Sequence, residues 1–415
     1  MSRPYLACII VGLGGLFFGV TGPLLSNFVP LLVRDALGDH RTLIGFVMAI
    51  DNVLLLLLVP WAGAASDRAT ARGGGRLPLM LGGLLLAAAG MALFPWSPAF
   101  GLAGVIAAIV ILYAGINILR SPFQAVIADL VESKYRSLAT GSVTFQMCVG
   151  AIVFLMLGRM LGMKTAFTIA AVTVLAIAAI FAIRLREPRV ESTEERDDQQ
   201  AVGSLTSAAW SAIRGAIPGL RAIFISTLLV QLTFQSFTTW YALHAIERFG
   251  IAPGDVAIGF IAWALGGVFG ALPAGVVGVR VGRRNAMMLG FVLMAAALVA
   301  LDRVNEMRHA VPLLALTSAA WTFPTVNAYP LFIEQVPRSR RGVLAALFLL
   351  SMALGGAIGD PLNGTLFDLF GHYRPLFLMM AGYSALAFVA VLFVPAGVGE
   401  ADTALEPVAT PVSPA

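Results

Sequence analysis

Two ionisable residues interrupt long apolar stretches of this 415-residue chain. Asp51 lies within FVMAIDNVLLLLLVP, and Arg120 lies about one helical turn from both Asn117 and Gln124. An ionisable group in hydrocarbon is costly unless it faces a cavity or a partner. Burial disfavours a charged carboxylate, so Asp51 suits a proton that is loaded and released near neutral pH. The alternative is a permanently paired structural acid, held by Arg120 or Asn52.

Amides, a hydroxyl and aromatic rings in other apolar stretches form a second group of candidates. Amides and hydroxyls bond directionally to hydroxyl groups, and an aromatic ring stacks on the apolar face of a sugar, so these side chains could bind a small polar solute together with Arg120. The alternative is helix packing by Thr and Gln, with Trp and Tyr as interfacial anchors. The candidate solute-binding residues are Asn52, Asn117, Gln124, Gln146, Gln231, Gln235, Thr238, Trp240, Tyr241, Asn327 and Tyr329.

The amino-acid composition of the chain indicates that these residues lie in a membrane protein. Hydrophobic residues make up 59% of the chain and charged residues 12%, against roughly 45–50% and 25% in soluble domains. A soluble enzyme is therefore excluded. The net charge of +5 is scattered in short clusters, which argues against a nucleic-acid partner.

Twelve spans of apolar residues are each long enough to cross a hydrocarbon core of about 30 Å. We therefore predict an all-α membrane protein with twelve transmembrane helices in two pseudo-symmetric six-helix bundles. The first span is too long for a signal peptide, so we expect it to remain as an anchor. The predicted spans are residues 5–33, 42–65, 77–95, 101–130, 139–161, 165–186, 219–246, 255–278, 286–301, 310–334, 342–364 and 373–395.

The basic residues predict the orientation, because positively charged loops are retained in the cytoplasm. With the N-terminus inside, the cytoplasmic segments hold 18 of the 27 Lys and Arg residues and the outside loops hold eight. We expect both termini in the cytoplasm and the protein in the cell membrane.

The polar segments predict the domain boundaries. We predict an N-terminal bundle at 1–186, a cytoplasmic linker at 187–214, a C-terminal bundle at 215–398 and a disordered tail at 399–415. The two bundles resemble each other: DLVESKYR (129–136) aligns with EQVPRSRR (334–341). Internal repeats of this kind are typical of transporters.

Residues near the predicted outer ends of two spans form a further set. We expect His244, Glu247, Asp360 and Asp368 to be interfacial or loop-side groups, although Asp360 could help to form an outer gate. Neither a dinucleotide fingerprint, a phosphate loop nor an HExxH motif is present in the sequence. We therefore expect no cofactor and no metal, and energy from an ion gradient.

The loop after the second span reads GAASDRATARGGGRLP (63–78) and carries charges that could form a network at the bilayer surface. Arg residues there could instead serve only to fix topology. Together with the aligned acids and Arg residues of the repeat, the candidate gating residues are Gly63, Asp67, Arg68, Arg72, Arg76, Asp129, Arg136, Glu334 and Arg341.

This loop resembles the G-x-x-x-D-R signature of the major facilitator superfamily. Its extended form SDR-x-x-x-R-x-G-x-R-x-P is similar to the sucrose-transporter and glycoside-pentoside-hexuronide branches, although Gly75 stands where those branches have Arg. The resemblance covers nearly the whole chain. It implies that Asp67 holds the two halves together in the outward-facing state, through the helix that starts near Gly342 and through Arg136.

Our first hypothesis is a monomeric, proton-coupled symporter for a sugar or glycoside that works by alternating access, with the sugar assignment resting mainly on the resemblance. The second is an exporter of a lipophilic, drug-like compound by proton antiport, favoured by the apolar second and eighth spans. A more distant alternative is a non-transporting intramembrane sensor or enzyme.

Overall fold

Helices account for nearly all of the structure in the computed structural model. It describes residues 3–131, 133–185, 219–334 and 341–394. Long apolar runs form helices because, in lipid, every backbone polar group must be satisfied within its own segment. The helices are α1 Arg3–Leu37, α2 Arg41–Met48, α3 Ile50–Ala71, α4 Leu77–Leu93, α5 Gly101–Leu130, α6 Arg136–Arg184, α7 Leu220–Phe249, α8 Ala257–Val281, α9 Arg283–Asp302, α10 Met307–Glu334, α11 Arg341–Phe370 and α12 Leu376–Leu392.

Seven of the described helical segments are long and apolar enough to cross a membrane by themselves. Two of them contain two passes each. Residues 77–127 cover α4 and α5, and α6 is interrupted at Gly162, whose φ of 80° and ψ of 168° lie outside the helical region. Because α2 and α3 share a single pass and α6 supplies two, the described helices form twelve transmembrane passes.

The passes form two pseudo-symmetric six-helix bundles, α1–α6 and α7–α12. The bundles touch where α2 and α3 pack on α11, where α1 packs on α7 and where α6 packs on α8. Within the predicted orientation, the outer end of the molecule carries Arg41 and Asp368, and the inner end carries Arg76 and Asp129.

The predicted spans agree with these helices, with differences at their ends. Helix α5 has the predicted bounds, whereas α11 continues to Phe370, six residues beyond its predicted end at 364. Spans five and six are joined by the single residue Gly162 and not by a polar loop. All of the predicted linker and all of the predicted tail lie outside the described residues.

Candidate functional site

A cavity of about 440 Å³ lies between the two bundles. Helices α1, α3, α5, α6, α7 and α8 all contribute to its walls. Most of the wall is apolar, and six aromatic residues line it. Its lining residues include Phe18, Thr21, Met48, Asp51, Tyr113, Arg120, Met147, Phe234, Gln235, Phe237, Thr238, Thr239, Phe260 and Trp263.

Asp51 lies in the first turn of α3, immediately after the turn at Ala49 that separates α2 from α3. The Asn117 side chain donates a hydrogen bond from Nδ2 to Asp51 Oδ1 at 3.0 Å. Arg120 is close enough for its charge to interact with the carboxylate, and its guanidinium lies 5.9 Å from the centre of the Phe18 ring. Arg120 Nε has no hydrogen-bond partner among the described residues. Asp51 and Arg120 therefore line the cavity, and Asn117, one helical turn from Arg120, bonds to the Asp51 carboxylate.

Two of the predicted solute-binding residues of α7 also line the cavity. Gln235 and Thr238 lie on the face that meets the N-terminal bundle. Thr238 Oγ1 donates to the Phe234 carbonyl at 3.2 Å, a bond that a solute could replace.

The structure places the other predicted solute-binding residues outside the cavity lining, where they pack helices together. Asn52 lies against Gly356 of α11, and Gln231 lies against Gly355. Gln146 donates to the Ile9 carbonyl at 3.0 Å. Asn327 donates to the Ala274 carbonyl at 3.1 Å, while Gln124 is exposed and Tyr329 is 38% exposed beside Phe348.

Trp240 and Tyr241 are fully buried within the C-terminal bundle. Trp240 packs on Phe367 with ring centres 5.1 Å apart, and the Tyr241 hydroxyl lies 3.6 Å from Met307 Sδ. They act as core aromatics there, and their rings do not line the cavity.

The prediction that Asp360 is an interfacial or loop-side group is wrong, whereas His244, although buried, does lie beside the outer loop, with Nδ1 2.9 Å from the Tyr373 carbonyl. Asp360 is 0% exposed and His244 is 1% exposed. The Gln235 side chain donates from Nε2 to Asp360 Oδ2 at 3.1 Å. Asp360 stands ten residues inside α11, because this helix continues through Pro361 and Gly364 to Phe370. The sequence signal that could have found it is a single acid within an apolar run, as for Asp51.

At the inner end, the loop charges gather around Arg76, which is 3% exposed. Arg76 pairs with Asp67 of α3, with Asp129 of α5 at 3.0 Å and with Ser66 Oγ at 2.9 Å. Burial lowers the pKa of Arg76, but hydrogen bonds and charge from the two carboxylates raise it by more, so the net shift is upward. We call Ser66, Asp67, Arg76 and Asp129 the inner cluster; all four belong to the N-terminal bundle.

The remaining gating candidates take simpler positions. A Cβ on Gly63 would lie 2.7 Å from Ser121 Oγ, so Gly63 permits close packing of α3 on α5. Arg68 donates to the Ala64 carbonyl of its own helix at 3.2 Å, and Arg72 is exposed. Residues Arg136, Glu334 and Arg341 lie at helix ends, but their side chains, and those around Gly342, are outside the part of the chain whose side chains the structure describes.

At the outer end, one carboxylate joins the two bundles. Asp368 of α11 accepts hydrogen bonds from the backbone N–H groups of Arg41 at 3.1 Å and Thr42 at 2.8 Å, and from Thr42 Oγ1 at 2.6 Å. It therefore caps the first turn of α2, where N–H groups lack helical partners. Arg41 Nη2 also donates to the Gly371 carbonyl at 2.9 Å, and its guanidinium lies 4.9 Å from the centre of the Tyr373 ring. Burial raises the pKa of Tyr373 to about 12.

Two glycines let α2 and α11 approach backbone to backbone beneath this cap. A Cβ on Gly364 would lie 3.0 Å from Thr42 Cα, and a Cβ on Gly45 would lie 2.8 Å from the Asp360 carbonyl carbon. A second link between the bundles joins Arg159 Nε to Asp255 Oδ1 at 2.9 Å. We call the α2–α11 contact, from Arg41 and Asp368 to Gly45 and Asp360, the outer seam. It closes the outer end of the molecule.

Known proteins resemble this chain along nearly its whole length. The chain is 24% identical to the tetracycline resistance protein, class B, of Escherichia coli over 401 residues, 94% of each chain. The crystal structure of the nucleoside transporter NupG has a TM-score of 0.75 at 14% identity and covers 93% of this chain and 99% of its own. That of the D-xylose-proton symporter has a TM-score of 0.73 at 17% identity and covers 95% and 98%. The Major Facilitator Superfamily model matches residues 7–250 and 223–415, and the chain belongs to this superfamily of multi-pass membrane transporters, which are not enzymes.

Proposed function

We propose that this protein exports a lipophilic compound in exchange for protons, by alternating access of the central cavity. The observation that carries the proposal is the cavity wall, which combines six aromatic rings with one carboxylate and one guanidinium. Pockets lined by aromatic and apolar side chains bind apolar ligands, and a few polar groups fix the orientation of the ligand. The tetracycline resistance relative supports export of a drug-like compound.

Asp51 is the proposed proton site. Its carboxylate is held by Asn117 at 3.0 Å and faces the cavity, so either a proton or a cationic part of the solute can neutralise it. Arg120 is the nearby counter-charge, and its Nε is free of hydrogen bonds among the described residues. Competition between proton and solute for the same charged group is sufficient to couple their movements in opposite directions.

We also propose the membrane location, the orientation and the domain bounds of the protein. The excess of Lys and Arg on one side of the predicted spans supports a cell-membrane protein with both termini in the cytoplasm. We propose a monomer with an N-terminal bundle at 1–186 and a C-terminal bundle at 215–398, because the transport cavity is formed within one chain.

The test is transport by the purified protein in proteoliposomes with an imposed pH gradient. A fluorescent lipophilic dye and tetracycline serve as probes. We expect gradient-driven accumulation in the wild type. Asp51→Asn should keep dye exchange without a gradient and lose accumulation. Asp35→Asn, which removes a carboxylate 72% exposed on the surface, is the matched control and should behave as the wild type. Unchanged accumulation by Asp51→Asn would contradict the role of Asp51.

Proton-coupled uptake of a sugar or related polar solute is the second candidate. Gln235 and Thr238 favour it, because both face the cavity with groups that bond to hydroxyls. The proton coupling named for the D-xylose-proton symporter supports the same coupling here. The case is weaker than the sequence suggests, since Trp240 and Tyr241 belong to the core and leave the solute without the predicted stacking platform.

Counterflow separates the two candidates. Proteoliposomes loaded with unlabelled xylose, a disaccharide or a nucleoside are placed in the labelled compound, and uptake is followed with and without a pH gradient. Counterflow of any of these solutes, reduced at least tenfold by Gln235→Leu, supports the polar-solute candidate. Its absence, together with dye transport, supports the exporter.

A further inference from the structure

Asp360 carries a buried carboxylate to which the proposed transport cycle assigns no role. It lies on α11 at the outer seam and is 0% exposed. Gln235 satisfies Oδ2 at 3.1 Å, whereas Oδ1 has no hydrogen-bond partner among the described residues. On the N-terminal side, α2 packs at Gly45 against the backbone of Asp360 and Pro361, and so covers the turn of α11 that carries this carboxylate.

No basic side chain among the described residues forms an ion pair with Asp360. The charge that does reach it is Asp51, another acid, and the Tyr113 ring is near both carboxylates. Neutral side chains, Gln235 and Thr239, hydrogen-bond to this carboxylate. Removing an ionised carboxylate from water without a charged partner is nevertheless costly, and a like charge nearby adds to that cost. A proton removes both penalties and gives the carboxyl group a donor.

We propose that Asp360 is a second proton-binding group of the transport cycle, which must take up a proton from the outer solution before α2 can close over it. When the bundles separate at the outer end, α2 moves away and Asp360 meets water. Only the neutral acid can then be covered again at low cost. Closure of the outer seam is thereby tied to proton entry, and each cycle carries two protonatable carboxylates, Asp51 and Asp360.

Gln235 connects this site to the cavity. Its side chain lines the cavity and donates to Asp360, so a solute that bonds to Gln235 competes with the carboxyl group for the same amide. The inference rests on the proposed proton coupling, but its test needs no transported solute.

The other charged or titratable side chains on the elements that pack against α11 are engaged elsewhere. Arg41 binds the Gly371 carbonyl. His244 Nδ1 lies 2.9 Å from the Tyr373 carbonyl, and Glu247 accepts from the Tyr373 N–H at 3.1 Å. Arg248 donates to the Asp302 carbonyl at 2.6 Å, and the Tyr383 hydroxyl donates to Asn363 at 2.8 Å. Among the described residues, the titratable groups whose charge reaches Asp360 are therefore Asp51 of α3 and Tyr113 of α5.

The experiment measures closure of the outer seam as a function of pH. Spin labels are placed at Leu43 on α2 and Leu369 on α11, which are 49% and 78% exposed, after both cysteines are replaced by serine. Distances are recorded in nanodiscs, without solute, from about pH 5 to about pH 9. In the wild type we expect the closed fraction to fall as pH rises, by up to about tenfold per pH unit for one proton.

Asp360→Asn should stay closed across this range, because the amide is always neutral, and Asp39→Asn should keep the wild-type pH dependence. Asp51→Asn should still respond to pH, with its midpoint moved to lower pH, because the like charge that opposes ionisation of Asp360 is gone. The proposal is overturned if Asp360→Asn retains the wild-type pH dependence, or if Asp51→Asn alone abolishes it. A closed fraction that rises with sodium and not with protons would also overturn it.

Infrared spectroscopy supplies a second measurement that does not depend on the labels. A protonated carboxyl group has a C=O stretch separate from that of a carboxylate. We expect a stronger band in the closed wild type than in Asp360→Asn, in which Asp51 can still contribute, and we expect this difference to vanish on opening at high pH. The same band in wild type and variant would assign the proton to another group.

Discussion

The inner cluster and the outer seam use the same chemistry for different connections. Each pairs an arginine with carboxylates at a helix end. In the inner cluster, Arg76, Asp67 and Asp129 come from α3, α5 and the loop before α4, all in one bundle. At the outer seam, Asp368 of the C-terminal bundle caps α2 of the N-terminal bundle.

This difference separates stability within a bundle from the equilibrium between bundles. Contacts inside one bundle persist whichever way the bundles tilt, whereas contacts across the seam exist only while the outer end is closed. Substitutions in the inner cluster should therefore change the free energy of unfolding. Substitutions at the outer seam should change the ratio of closed to open molecules. Asp67, which the resemblance assigns to a contact with α11, is held by Arg76 while the outer seam is closed.

The largest effect is expected from Arg76→Met. Breaking a fully buried pair costs about 3–5 kcal/mol, and because the two carboxylates are about a quarter exposed we expect about 2–3 kcal/mol. Thermal unfolding in detergent should show a lower Tm. Arg72→Met is the matched control, since this arginine of the same loop is exposed. A normal Tm together with a changed outer-seam distance would show that the cluster acts between bundles.

Gly364→Leu should open the outer seam. Its side chain would collide with the backbone of Arg41 and Thr42, and overpacking of this kind costs about 1–3 kcal/mol. The closed-to-open ratio should fall by about 5- to 150-fold, as measured with the Leu43 and Leu369 labels. Gly382→Leu is the matched control, because a Cβ there meets no atom within 4 Å. Equal closed fractions in the two variants would contradict backbone contact at the seam.

Asp368→Asn should have a smaller effect on the same ratio. The amide keeps one acceptor oxygen but loses the charge and the second acceptor, which removes much of the cap on α2. A cap contributes about 1 kcal/mol, or about a fivefold change in ratio. Asp39→Asn removes an equally charged, exposed side chain close to the start of α2 and should leave the closed fraction unchanged. If both variants shift it equally, general surface charge and not capping is responsible.

Asp255→Asn should have the smallest effect. Its pair with Arg159 also crosses between the bundles, but the two side chains are 40% and 42% exposed. Exposed pairs contribute about 0–1 kcal/mol and are screened by salt. We expect less than about a threefold change in closed fraction, which added salt reproduces in the wild type. An effect larger than that of Asp368→Asn would place the principal outer contact at Asp255.

The fold could be predicted well from the sequence, because the membrane passes and their ends are marked by different sequence features. Apolar length defines a membrane pass, and polar breaks define most of its ends. The single-residue turn at Gly162 was not predicted, because a residue with positive φ reverses the chain there without a polar loop. The predicted end of α11 was also wrong. Pro361 and Gly364 suggest a break in the helix, but α11 continues through both residues to Phe370.

The candidate site was predicted in part. Asp51, Asn117 and Arg120 were identified because a polar residue in an apolar run is conspicuous and their helical spacing is short. The amides and aromatics of α7 could not be sorted in this way, because α7 has polar residues around its whole circumference. Gln235 faces the cavity while Gln231 faces α11. Only the three-dimensional arrangement distinguishes two such residues one turn apart.

The outer cap is asymmetric in what each bundle contributes. On the α2 side its donors are two backbone N–H groups and one hydroxyl, and on the α11 side its acceptor is a single carboxylate. Backbone donors survive almost any substitution except proline. Two of the three bonds to α2 would therefore survive a change of side chain at its start, and only the bond from the Thr42 hydroxyl would be lost. On α11 all three bonds depend on the side chain, and position 368 tolerates only residues that can still accept those bonds.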